Sequence, residues 1–319
     1  MLSHSYKSKQ YLLVALKVLL LLVAGIFIYN KITTVETQTW EALNSVLTTN
    51  NSYTIIYLII FVLMAVLNWL LEIYKWKIAV SKISRISLWQ ATKQSLAGLT
   101  AALATPARIG DYGIKAAYFK TENRKQIVLL NLFTNGSQML ITFFFGVIGC
   151  IYVWLNYAVP FSALNITIVI AILIIVSLIL YSIRNHRLLI KGLTLNAVMR
   201  YFKKLPDFIK VGTLTLSLLR YLVFSSLFYL LLEFFGATTA ALTALPFIFA
   251  MYFLVSIIPS YFVLDVVIRG GVAVYLFSLL NVPEPTVLAT VLAMWVLNFL
   301  IPAILGSYFV LTFKLHKSV

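Results

Sequence analysis

Long uninterrupted runs of apolar residues constrain the fold of this 319-residue chain more than any other feature. Several of them exceed the roughly 18 apolar residues that mark a membrane-spanning helix. Inside a bilayer, backbone N–H and C=O groups must be hydrogen-bonded within the protein, and the alternation typical of strands is absent. The sequence therefore predicts an all-α integral membrane protein, in agreement with a hydrophobic content of 62% and a charged content of 11%.

Six spanning helices follow from the hydropathy pattern. They are expected at 11–29, 53–74, 126–154, 164–183, 211–235 and 286–312. Two further apolar stretches, 90–120 and 242–280, are interrupted by proline, glycine and charged residues. Each of these stretches either crosses the membrane or returns to the side from which it came.

The basic residues favour the second topology. If both stretches return, nearly all lysines and arginines between the spans fall on one side of the membrane, and Lys31 alone falls on the other. If both cross once, the basic residues divide almost evenly. Because basic residues accumulate in cytoplasmic loops, we predict two re-entrant helical hairpins and place both termini in the cytoplasm.

Three spans with a hairpin before the third occur twice, in residues 1–156 and 157–319. Since three is odd, the second copy starts on the opposite face, and the two hairpins enter from opposite sides. This pattern predicts an inverted repeat within one transmembrane domain, residues 1–319, as in many transporters. The basic connector 184–210 suits an amphipathic helix on the anionic inner leaflet or, alternatively, a solvated loop that only enforces topology.

The first interrupted stretch places Pro106, Arg108, Gly110 and Asp111 within an apolar run. Pro106 and Gly110 are predicted to form a structural hinge. An arginine at a broken helix suits a phosphate or carboxylate, so Arg108 and Asp111 predict a binding site for an anionic headgroup. The alternative is a structural Arg108–Asp111 ion pair that holds the turn closed. Lys115 belongs to this site or extends towards the cytoplasmic face.

The second interrupted stretch is predicted to break from Pro259 to Gly271. Its hinge residues are Pro259, Gly270 and Gly271. Asp265 and Arg269 are four residues apart, which places them on one helical face. In an inverted repeat they would form the second half of the substrate-binding site.

Polar residues inside the spans provide further candidates. Arg220 lies within the fifth span and requires a partner or a ligand there, so it is included among the substrate-binding residues. Asn131 in the third span and Asn298 in the sixth suit hydrogen bonds between helices.

Catalytic and metal-binding motifs are absent from the sequence. The three histidines lie far apart and lack zinc-ligand spacing, and there is no phosphate-binding loop or nucleophile elbow. We therefore expect no catalytic residue, no metal and no cofactor. The net charge of +16 is explained by basic loops, so the expected partners are membrane lipids and not nucleic acid.

The segment from Ala104 to Asp111 resembles the P-x-R-x-G-[ED] signature of the lysylphosphatidylglycerol synthase transmembrane (flippase-like) family. Ile258 and Pro259, followed by 270–272 and 276–280, are similar to the family's second, glycine-rich element. The resemblance extends over about 10–315. It implies a helical bundle with two re-entrant hairpins in a prokaryotic inner membrane.

The same resemblance implies a protein that moves, or helps to move, anionic or aminoacylated phospholipids or polyprenyl-linked lipids. The best-known members continue into a cytosolic aminoacyl-transferase domain, whereas this chain ends at Val319, so we expect no synthase activity. The family often has an arginine in the helix after each hairpin, where this chain has Asn135 and Asn298. The alternatives are an enzyme or enzyme accessory acting on a lipid-linked intermediate, and a scaffold. The expected protein partner is either a second copy of this chain, in a homo-oligomer, or a separate lipid-modifying enzyme.

Overall fold

The computed structural model describes residues 52–103, 105, 108–157, 194–257 and 265–313, with side chains for all of these except 52, 53 and 265–267. Within these ranges the regular elements are helices. They are α1 (Ser52–Val80), α2 (Leu88–Leu103), α3 (Ile109–Ala117), α4 (Arg124–Asn156), α5 (Leu195–Lys203), α6 (Asp207–Phe234), α7 (Ala241–Ile257), α8 (Asp265–Ser278), α9 (Glu284–Trp295) and α10 (Ile301–Leu311). A π-helical turn, Val296–Leu300, joins α9 to α10.

Four helical segments are long and apolar enough to cross a membrane. They are Thr54–Val80, Thr121–Asn156, Asp207–Phe234 and Glu284–Leu311. They confirm a multi-pass helical protein and coincide with the spans predicted at 53–74, 126–154, 211–235 and 286–312. The predicted spans 11–29 and 164–183 lie outside the described residues, as do the predicted hinge residues Pro106 and Pro259.

Helix α1 continues past the predicted end of its span at residue 74. It reaches Val80, and both Trp76 and Val80 are fully buried. The prediction ended the span before Lys75 because a lysine normally marks the membrane surface. Here Lys75 is only 1% exposed and pairs with Glu72, so the helix accommodates its charge internally.

Helices α2 and α3 form an antiparallel pair, called here the first hairpin (Leu88–Ala117). Gly98 faces Asp111 and Ala101 faces Gly110, so the contacts proceed in opposite directions along the two helices. The hydroxyl of Thr105 donates to the Ala101 carbonyl (2.8 Å) and accepts from the Gly110 N–H (2.8 Å), which closes the turn. At 16 and nine residues, both helices are shorter than the roughly 20 residues needed to span a bilayer.

Helices α7 and α8 form the second hairpin (Ala241–Ser278). The ring centroid of Phe247, near the start of α7, lies 6.2 Å from that of Phe277, at the end of α8. The two helices are therefore antiparallel. Gly270 and Gly271 lie inside α8, so the prediction that they belong to the break is wrong. An internal glycine costs a helix only about 1 kcal/mol relative to alanine, and packing offsets this. A Cβ at Gly270 would lie 3.3 Å from the side chain of Leu288, so the glycine lets α8 approach α9 closely.

The hydrophobic core described by the structure has two main parts. The larger joins α6, α7, α8 and α9 around Phe228, Phe247 and Phe277. The smaller joins α1, α3 and α4 around Trp76 and Leu130. Beside this smaller part lie buried charged residues of α1 and α3, namely Glu72, Lys75 and Lys115.

Candidate substrate site: two buried polar clusters

An ion pair joins two of the spanning helices. The Glu72 carboxylate on α1 lies 2.7 Å from the Lys75 ammonium and 2.9 Å from the Arg220 guanidinium on α6. The side chains of Lys75, Glu72 and Arg220 are 1%, 11% and 24% exposed. Arg220 therefore has the partner that its position required, and it is the most accessible member of the group.

Gln138 on α4 completes this group, which we call the central cluster (Glu72, Lys75, Gln138, Arg220). Its side-chain oxygen accepts weak hydrogen bonds from Lys75 (3.4 Å) and Arg220 (3.5 Å). Its amide nitrogen donates to the Ser217 carbonyl on α6 (3.4 Å). Both cations therefore share the same two acceptors, and three spanning helices are joined through one polar contact.

A second group, the hairpin cluster, consists of Asp111, Lys115 and Asn131. Lys115 lies 3.0 Å from one Asp111 carboxylate oxygen and donates to the Asn131 side-chain oxygen at 2.9 Å. The Asn131 amide donates to the other Asp111 oxygen at 2.8 Å. Each side chain thus contacts the other two, which fixes α3 of the first hairpin against α4.

Trp76 lies between the two clusters. Its ring centroid is 4.7 Å from the Lys115 ammonium, and its indole N–H donates to Gln94 on α2 at 2.7 Å. Trp76 also follows Lys75 directly on α1. The hairpin cluster therefore contacts the helix that carries Glu72 and Lys75 of the central cluster.

The predicted ion pair between Arg108 and Asp111 is not formed. Asp111 pairs with Lys115, because residues four apart lie on one face of α3, whereas Arg108 precedes the helix. Lys115 is 3% exposed, so it does not extend to the membrane surface. Arg108 is exposed and occupies the left-handed region (φ 57°), which costs a non-glycine residue about 1–2 kcal/mol.

Glycines allow the first hairpin to close over its cluster. A Cβ at Gly98 would contact the carboxylate of Asp111 and the side chain of Lys115. A Cβ at Gly110 would contact the backbone of Ala101. Gly110 lies in the first turn of α3 and its φ is negative, so its role is close approach and not the predicted flexible hinge.

The second hairpin presents different chemistry. Arg269 on α8 lies 5.7 Å from the centroid of the Phe299 ring and lines a small cleft with Phe224, Tyr252 and Trp295 among its walls. Phe224 is one helical turn from Arg220 on α6, so one face of α6 carries both a wall residue of the cleft and the arginine of the central cluster. Asp265 begins α8, and its side chain is outside the described part, so its position on one helical face with Arg269 stays a prediction.

Two asparagines form the hydrogen bonds between helices that their positions suggested. The side-chain oxygen of Asn298, in the π-helical turn, accepts a hydrogen bond from the Asn68 amide at 2.7 Å. The backbone carbonyl of Asn298 accepts one from the Trp69 indole at 3.2 Å. Asn131 joins α4 to α3 within the hairpin cluster. The interpretation of both residues as contacts between helices is confirmed.

The two clusters together hold three cations against two carboxylates, which leaves a formal excess of one positive charge. Buried cations attract an anion more strongly than exposed ones because the local dielectric constant is low. A guanidinium also matches the planar geometry of two phosphate oxygens. The clusters can therefore bind an anionic group. Among the described residues, no group of three or more His, Cys, Asp or Glu is placed to hold a metal ion.

Sequence reasoning missed Glu72, Lys75 and Gly98. Glu72 is the single charged residue of the predicted span 53–74, and Lys75 follows at the spacing of a helical ion pair. That pair was the available signal. Gly98 carries no comparable signal, because a glycine in an apolar helix is uninformative until its neighbours are known.

Comparison with known proteins identifies a family for this chain. The family model described as "Lysylphosphatidylglycerol synthase TM region" matches residues 13–306. The matched range contains both hairpins and both clusters. No curated protein matches the chain.

Proposed function

The chain belongs to the family of lysylphosphatidylglycerol synthase transmembrane regions, and we propose that it binds an anionic or aminoacylated phospholipid or a polyprenyl-linked lipid and moves it across the membrane. As a multi-pass member of this family, it is a membrane protein related to lipid handling. The observation that carries the proposal is the ion pair of Glu72 with Lys75 and Arg220 inside spanning helices.

Buried charges of this kind are costly, and in membrane proteins they usually line a substrate path. Arg220 receives the headgroup phosphate in this proposal, because it is the most exposed charged member of the central cluster. When Arg220 turns to a phosphate, Lys75 still neutralises Glu72 at 2.7 Å. The cluster can therefore exchange one partner without leaving a buried carboxylate unpaired, which would be strongly destabilising.

The two hairpins take different parts in the same proposal. Arg108 is exposed at the turn of the first hairpin and contacts the phosphate before it reaches Arg220. Asp111 and Lys115 hold that hairpin in place. Arg269, with Asp265 at the start of its helix, contacts the lipid from the second hairpin.

The topology proposed for this mechanism is the one that the charge pattern predicts. Both hairpins are re-entrant and enter from opposite faces, and residues 1–156 and 157–319 form an inverted repeat. Both termini lie in the cytoplasm, and the membrane is the inner membrane of the cell. The short lengths of α2 and α3, at 16 and nine residues, support a hairpin that does not cross the bilayer.

Reconstitution in liposomes tests the proposal. Fluorescent phosphatidylglycerol, phosphatidylcholine and polyprenyl phosphate are placed in the inner leaflet, and a membrane-impermeant quencher reports the lipid that reaches the outer leaflet. We expect Arg220→Gln to slow the movement of the anionic lipid by about 10-fold or more, the effect of losing one charged hydrogen bond.

The matched control is Lys210→Gln, which removes a cation from the same helix. Lys210 forms an exposed ion pair with Asp207 at 3.1 Å, and such pairs contribute little. This variant should move lipid at the rate of the unmodified protein. The proposal is wrong if no lipid moves faster than in empty vesicles, or if Arg220→Gln and Lys210→Gln give the same rate.

A further inference from the structure

Helix α5 is a short amphipathic helix that lies beside the smaller part of the core. Thr194 caps its start by accepting a hydrogen bond from the Ala197 N–H at 3.1 Å. Its apolar face is fixed to the bundle, since Val198 is buried and the Phe202 ring lies 5.2 Å from Phe133 on α4. The opposite face carries cations, and Arg200, Lys203 and the following Lys204 are exposed. Packing therefore fixes the orientation in which these cations are presented.

A fourth cation comes from the turn after α1. The Lys82 ammonium lies 4.1 Å from the ring centroid of Tyr201 on α5. Partial burial and the nearby Lys204 lower the pKa of Lys82 below its ordinary value. Within the described ranges, no acidic side chain forms an ion pair with Lys82 or Lys204. Two ammonium groups are thus held close to each other without a neutralising carboxylate from these ranges.

This basic surface lies at one end of the spanning helices. Helix α1 ends at Val80 and α6 begins at Asp207, and Ile78 lies within contact distance of Gly212, so the two ends meet. Two large apolar side chains, Met199 and Phe208, stand beside the cations and are 50% and 62% exposed. Exposed apolar side chains among cations are typical of a helix at the boundary between headgroups and acyl chains.

We propose that Lys82 and Lys204, with Arg200 and Lys203 around them, form a binding site for the phosphate of an anionic phospholipid headgroup, separate from the transport site. The phosphate supplies a negative charge that neutralises the two lysines, and Tyr201 holds Lys82 towards the phosphate. Met199 and Phe208 favour a lipid over a free anion because they are positioned to contact its acyl region. The lipid would anchor α5 and the adjoining ends of α1 and α6 at the membrane surface.

Native mass spectrometry of the full-length protein in detergent tests this site with dioleoyl-phosphatidylglycerol as the probe. All variants are made in an Arg220→Gln background, so that failure of this site and failure of the transport site are distinguishable. We expect Lys82→Gln combined with Lys204→Gln to weaken phosphatidylglycerol binding by about 10- to 30-fold, since each lysine near an anionic surface contributes about a factor of five.

The matched control is Lys120→Gln combined with Lys125→Gln, which removes the same charge from exposed lysines around the start of α4. This control should change the affinity for phosphatidylglycerol by less than about two-fold. Replacing Lys82 and Lys204 by arginine should preserve the affinity. The proposal would be overturned if the two glutamine double variants bound phosphatidylglycerol with equal affinity. Equal binding of phosphatidylcholine, displacement of the lipid by inorganic phosphate, or loss of binding in the arginine pair would also overturn it.

Discussion

The two helical hairpins hold their basic side chains in opposite surroundings. In the first hairpin, Lys115 is 3% exposed and contacts both Asp111 and Asn131 within 3.0 Å. In the second, Arg269 is half-buried, lies beside the Phe299 ring and lines an aromatic cleft. The sequence gives both hairpins a proline, glycines, an acid and a base, so this difference arises from what each hairpin packs against.

The difference separates two tasks that the sequence pattern assigned to both hairpins alike. A cation with all of its partners inside the protein stabilises the position of its helix. A cation that lines a cleft can also contact a ligand that enters the cleft. We therefore expect changes at Lys115 to act mainly on stability and changes at Arg269 to act mainly on lipid handling.

The largest expected effect is on stability, in Lys115→Met. Removing the ammonium leaves the Asp111 carboxylate buried beside Asn131 without its charge partner, and such a change costs about 3 kcal/mol. The free energy of unfolding, measured by titration with a denaturing detergent, should fall by that amount. Arg269→Gln should lower it by less, because Arg269 is half-buried and lies beside the Phe299 ring at the wall of a cleft.

A double variant checks the electrostatic cause. Adding Asp111→Asn to Lys115→Met removes the unpaired charge, so part of the lost stability should return. If the double variant were no more stable than Lys115→Met, the loss would come from packing and not from charge. If Arg269→Gln destabilised the protein as much as Lys115→Met, the proposed division between the hairpins would be wrong.

Much of this fold could be predicted from the sequence, because hydrophobicity over 20 or more residues is a strong signal. The described helices confirm four of the predicted spans. The end of α1 was missed because hydropathy treats Lys75 as a surface residue, whereas its neutralisation by Glu72 depends on contacts within the bundle. Hydropathy counts charges one at a time and does not register such pairs.

The candidate site was predicted only in part. Asp111, Lys115 and Arg220 do lie in polar clusters, but their partners were not identified correctly. A pair between Arg108 and Asp111 was the alternative that their spacing offered, yet spacing indicates a shared face only inside a helix, and Arg108 precedes α3. The contacts of Gln138 with Lys75 and Arg220 join helices far apart in sequence, and one sequence contains no record of such pairings.

An intermediate effect on stability is expected for glycines, and it should differ in sign between the hairpins. Gly98→Ala places a methyl group against Asp111 and Lys115, so it should destabilise the protein by about 1–3 kcal/mol. Gly271 in α8 has no atom within 4 Å of its expected Cβ, so Gly271→Ala should stabilise the helix by about 0.5–1 kcal/mol. Melting temperatures in one detergent measure both, and equal shifts would show that the two hairpins pack alike.

The smallest expected effect on stability comes from the turn of the first hairpin. Arg108 has a φ of 57°, and glycine adopts this conformation without the steric cost that an arginine bears. Arg108→Gly should therefore raise the unfolding free energy by about 0.5–1 kcal/mol, after allowance for the greater freedom of glycine in the unfolded chain. Arg108→Gln keeps the backbone strain and should leave stability unchanged.

Both Arg108 variants remove the exposed cation, so both should slow the movement of anionic lipid in liposomes to a similar extent. Comparing them separates the backbone of Arg108 from its charge. Strained non-glycine residues cluster at functional sites, and here the side chain is exposed and not paired with Asp111. If both variants moved lipid at the unmodified rate, the first hairpin would have no ligand-facing residue at its turn, and Arg269 would be left as the sole hairpin cation of the described residues proposed to contact lipid.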